Sequence, residues 1–84
     1  MRHPRDGELD HMVPVLEQLR GIDGLVERTT GVFYRRSKAF LHFHVDDDDF
    51  YADVRLDGVG FERMKVTTKP EQRALVAAVR RALA

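Results

Sequence analysis

Three residues have the types and the spacing to hold a metal ion: His42 and His44, two apart in AFLHFHV, and Asp53 in FYADVRL. On an extended strand, residues two apart project to the same side, so the two imidazoles face one way. A pair of neutral imidazoles with a carboxylate is a workable ligand set for zinc, iron or manganese. The plainer chemistry open to the same residues is a cross-strand contact between His42 and Asp53. The aspartates between them, Asp46 to Asp49, lack the alternation, the glycine and the distal glutamate of a calcium loop. They read as a solvated turn that discourages edge pairing.

A second group is aromatic and basic. Phe40, Tyr51 and Arg55, with Arg35, Arg36 and Lys38 at the end of the same hairpin, combine rings that stack on bases with cations that meet phosphates. The same types also serve protein contacts. No Gly-rich phosphate loop, activated-serine motif or H-E-x-x-H sequence occurs. Asp53 and His42 have no nucleophile nearby to activate, so a non-enzymatic role is expected. The absence of cysteine excludes disulfides, thiolate–metal sites and cysteine nucleophiles.

The elements that carry these residues follow from periodicity. Leu9, Met12, Val13, Leu16 and Leu19 keep the three- and four-residue spacing of an amphipathic helix. Pro14 must lie in its first turn, which puts the start near Asp10 as N-cap. Gly21 is expected to end it in a left-handed C-cap, with Ile22 folding back as apolar partner and Asp23-Gly24 turning the chain. From Leu25 to Thr67 the pattern is that of strands: LVERT, VFYRR, AFLHFHV, FYADVRL and FERMKVT. Turn signals separate them at Thr30-Gly31, Arg36-Ser37-Lys38, the aspartates and Asp57-Gly58. The last segment opens with the capping-box spacing Thr68-x-x-Glu71 and Pro70, and carries the apolar stripe Leu75, Val76, Val79 and Leu83.

In AFLHFHV, Ala39, Leu41, Phe43 and Val45 share one face, while Phe40, His42 and His44 share the other. A two-residue Asp47-Asp48 turn pairs Asp46 with Asp49. Phe43 then faces Ala52, Leu41 faces Val54 and Ala39 faces Leu56 on the apolar side. On the other side His44 meets Tyr51, His42 meets Asp53 and Phe40 meets Arg55. A four-residue loop is the alternative, because aspartates are not the preferred turn residues. The expected fold is α+β, in the order α-β-β-β-β-α. A single domain over residues 1–84 forms an antiparallel meander of four to five strands, with an N-terminal and a C-terminal helix packed on one face.

Length and charge narrow the function. A chain of 84 residues buries roughly 60–65% of its unfolded surface, which leaves little room for a deep cleft and favours a homodimer. Fourteen basic residues balance fourteen acidic ones, against a protein that grips nucleic acid by bulk charge. The balance is uneven: residues 1–60 hold 8 basic and 12 acidic groups, residues 61–84 hold 6 and 2. No apolar run reaches the roughly 18 residues of a membrane span. The charged start MRHPRDGELD is unlike a secretory signal, so a cytoplasmic protein without membrane partners is expected.

The run VFYRRSKAFLHFHVDDDDFYADVRL resembles the hairpins of small uncharacterised bacterial α+β domains. In outline it is similar to the YjbR/MmcQ-like family, which has a leading helix, a short exit like Gly21-Ile22 and a meander. That family is often labelled DNA-binding, and the resemblance implies DNA binding here. Phe33 to Val54, with LHFH and YAD, also resembles the uncharacterised luciferase-like domain, in which a His-x-His strand precedes an Ala-Asp strand. Each resemblance covers about half the chain, the C-terminal helix departs from the second pattern, and neither brings catalytic residues. The sequence thus points to a binding or assembly module using the uncovered sheet face. The alternatives are weak nucleic-acid binding by that face, and a divalent metal held by His42, His44 and Asp53.

Overall fold

The structure, a computed structural model, describes residues 2–84. The chain enters through helix α1 (Asp6–Leu9), a 3-10 turn (Asp10–Met12) and helix α2 (Val13–Arg20). Pro14 sits in the first turn of α2. It has no N–H to donate back to the preceding turn, which accounts for the tighter path before it. Asp10 therefore lies inside the 3-10 turn instead of capping a helix, and the helical path starts earlier, at Asp6. Gly21 also differs from expectation. Its φ is −83°, right-handed, and the left-handed residue is Gly24 at φ 94°. Ile22 still folds back onto the core, its N–H donating to Leu19 O at 3.1 Å.

Strands β1 (Val26–Thr29), β2 (Val32–Arg35), β3 (Lys38–Asp46), β4 (Asp49–Val54) and β5 (Glu62–Lys65) form one antiparallel sheet in sequence order. Helix α3 (Lys69–Leu83) completes the α+β fold. It opens with the reciprocal box read from the sequence: Glu71 N–H donates to Thr68 Oγ1 at 3.3 Å, and Thr68 N–H to Glu71 Oε1 at 2.9 Å. Leu16 and Leu19 of α2 and Leu75, Val76 and Val79 of α3 pack against Phe33, Leu41, Phe43, Ala52 and Val54 of the sheet. Both helices thus cover the same face. Gln72, the one buried polar side chain among the described residues, ties the layers together by donating from Nε2 to Val66 O at 3.2 Å.

The β3–β4 register is the expected one: Leu41 pairs with Val54, His42 with Asp53, Phe43 with Ala52, His44 with Tyr51 and Asp46 with Asp49. The turn is the two-residue form, with Asp47 left-handed at φ 56°. Beyond Val54 one more bond continues the pairing, from Arg55 N–H to Phe40 O at 2.8 Å, and the expected Ala39–Leu56 pair is not part of the ladder.

On its other edge β3 carries a bulge. Phe33 pairs with Leu41 but Tyr34 pairs with Ala39, so Phe40 is the extra residue. The bulge turns the phenyl ring to the side of Leu41, and Phe40 is 3% exposed within the core. Strict alternation places it on the uncovered face, and the structure corrects that placement.

Candidate functional site

His42 and His44 leave β3, and Asp53 leaves β4, on the face that the helices do not cover. One ligand atom from each of the three lies within 4.8 Å of those of the other two. The imidazole rings meet edge to face with centroids 4.6 Å apart, and Phe61 stands 5.1 Å from the His42 ring. His44 Nε2 lies 2.9 Å from Asp53 Oδ2. The nitrogen is buried, yet it has no hydrogen-bond partner in proper alignment. Asp53 thus sits opposite His42 in the ladder but reaches His44 with its carboxylate.

Arg63, a residue absent from the sequence-based candidates, completes the cluster. It lies opposite Asp53 across the β4–β5 ladder and donates from Nε to Oδ1 at 2.9 Å. The alternation of FERMK carries the signal for it, but only once the register across the long Arg55–Phe61 connection is known. Burial alone would raise the Asp53 carboxyl, but the Arg63 hydrogen bond and the neighbouring His44 and Arg63 charges hold it below its ordinary value. Burial, helped by His44, moves His42 the other way from a charged imidazole, lowering its pKa. At neutral pH the cluster therefore presents an ionised carboxylate and a neutral His42, the forms that bind metal.

The aromatic and basic group divides. Arg35, Arg36, Lys38, Phe40 and Arg55 line one open pocket of about 220 Å³ where the β2–β3 turn meets the connection after β4. Tyr51 stays outside it, between His44 and Lys65 in the ladders. Arg55 lays its guanidinium over Phe61, 4.4 Å from the ring centre. Phe61 thus touches both groups: Arg55 of the pocket and His42 of the cluster. Phe40 contributes to the pocket wall from the core side and is too buried to stack on a base. No family model, curated protein or solved structure matches the chain, so the chemistry of these two groups carries the functional reading.

Proposed function

We propose that the protein binds a divalent metal ion through His42, His44 and Asp53. The supporting observation is that the three donor atoms converge within 4.8 Å while His44 Nε2 is buried without an aligned partner. Two His ligands and one carboxylate match zinc or ferrous iron and leave further coordination positions to solvent or a ligand. Metal–ligand lengths of about 2.1 Å at tetrahedral angles require donor separations of about 3.4 Å. The His44–Asp53 pair at 2.9 Å must open slightly and His42 must close in. Arg63 competes for the same carboxylate as its present counter-charge.

Thermal melts with zinc test this reading. Metal at about a hundred times its dissociation constant stabilises the folded state by about 2.7 kcal/mol, a rise of roughly 10–20 °C in Tm for a domain this small. The shift should vanish in His44→Ala and fade below about pH 6, where imidazoles protonate. It should grow in Arg63→Met, which frees Asp53. Changing His3 or His11 should leave it intact. A zinc shift that survives His44→Ala, or no shift at pH 7.5, overturns the proposal.

A second reading gives the same face to a second copy of the chain. It is favoured by Val26, 59% exposed, and Phe61, 42% exposed, on a sheet whose helices all lie on the opposite side. Sedimentation equilibrium tests it, and a monomer at several hundred micromolar would count against it.

A further inference from the structure

We propose that the pocket at the β2–β3 turn is a binding site for a phosphate group. The inference is independent of the metal reading, because it rests on different residues and on three local costs that meet at one place.

The first cost is in the backbone. Arg36 and Ser37 close the hairpin at φ 52° and 70°. Side chains in this left-handed region are strained, and glycine or asparagine is the usual occupant of such turns. The second is in charge. Arg35 and Lys38 are direct cross-strand partners, and like charges placed opposite each other repel. The third is in desolvation. Arg55 Nε is buried with no hydrogen-bond acceptor, a state that folded proteins rarely tolerate for an N–H donor. Strained or unsatisfied groups that cluster are a recognised mark of a binding site.

One anion relieves the last two of these costs. The pocket lining contains four cations and no carboxylate. Among the described residues none of Arg35, Arg36, Lys38 and Arg55 lies in an ion pair. The nearest acid in sequence, Asp57, already accepts from Val59 N–H at 2.8 Å and Gly60 N–H at 3.1 Å. Guanidinium groups match the geometry and charge of phosphate. A volume of about 220 Å³ falls below the roughly 300 Å³ at which small-molecule pockets begin. It suits a phosphate or diphosphate group, not a whole drug-sized ligand. The group could belong to a free phosphorylated compound or to a nucleic-acid backbone, and the two sources are separable by experiment.

The test uses inorganic pyrophosphate and a labelled single-stranded oligonucleotide, in low-salt buffer without added metal. Pyrophosphate should raise the Tm, and titration calorimetry should show saturable binding that weakens as salt rises. Arg36→Gly removes a cation and relieves the turn, while Arg55→Met removes the buried N–H. Arg36→Gly should hold or raise the Tm of the unliganded protein, and each variant should weaken binding by about tenfold or more, the loss of one charge-assisted contact. That opposite movement of stability and binding is not expected of residues kept only for structure. If the oligonucleotide competes with pyrophosphate and loses affinity in both variants, the phosphate comes from a strand. If it fails to compete, the source is a free phosphorylated compound. Absence of binding by both probes, or binding unchanged in both variants, overturns the proposal.

Discussion

Replacing Phe40 with alanine empties a ring-sized space between β3 and the helices, because the side chain is part of the core. Truncations of this kind cost about 3–5 kcal/mol, most of the stability of a marginal small domain. A urea melt of Phe40→Ala should therefore show a large drop in midpoint, and an unchanged midpoint would mean that the ring stabilises nothing. Phe40→Glu should unfold the chain instead of disturbing an association. The ring's true side was hidden in the sequence by the bulge opposite Phe33 and Tyr34. A period of two has no place for an extra residue, and the only local trace is the adjacent apolar pair Phe40-Leu41. His42, His44 and Asp53 were legible for the converse reason, since they lie where the alternation is unbroken. Arg63 was not, because its place opposite Asp53 depends on how residues 55–61 return the chain.

Among the elements, the β3–β4 hairpin and α3 follow from local pattern: matched apolar alternation on two strands, and a capping box before an apolar stripe. The junction of α2 with β1 does not, because it is made by side chains far apart in pattern. Glu27 of β1 pairs with Arg20 at the end of α2 and accepts from Gly31 N–H at 2.8 Å, so one carboxylate joins a helix, a strand and a turn. Burial would raise its pKa, but Arg20 and the Gly31 amide outweigh burial and lower it. A carboxyl depressed in the folded state binds fewer protons there than when unfolded. Its stabilisation is present above the unfolded value near 4.5 and is lost as pH falls through the folded one. Glu27→Gln should therefore destabilise by about 1 kcal/mol at pH 7, and the gap from the parent should narrow as pH falls below the unfolded value near 4.5. Chemical denaturation at several pH values measures this, and a gap that does not narrow on acidification would assign the loss to packing, not to charge.

For the whole molecule, the one-sided placement of the helices leaves the outer face of five strands without a protein layer. A homodimer that covered it would bury roughly 800 Å² on each partner, about a sixth of the 5136 Å² surface. A two-fold contact uses one patch twice, so the patch must complement itself. The outer face has the means, since it carries the Asp53–Arg63 ion pair together with the exposed apolar side chains of Val26 and Phe61. Phe61 is a poor probe of this contact, because it also supports His42 and Arg55. Val26 is the better one. It is exposed on edge strand β1, and it lines neither the metal cluster nor the phosphate pocket. Val26→Glu sets a charge at the β1 edge of such a contact and, by the two-fold, places it twice. Sedimentation equilibrium should then show the parent dissociating at tens of micromolar and Val26→Glu monomeric throughout, with the zinc and pyrophosphate shifts unchanged. If Val26→Glu associates as the parent does, the copies meet elsewhere and the outer face is left to its ligands.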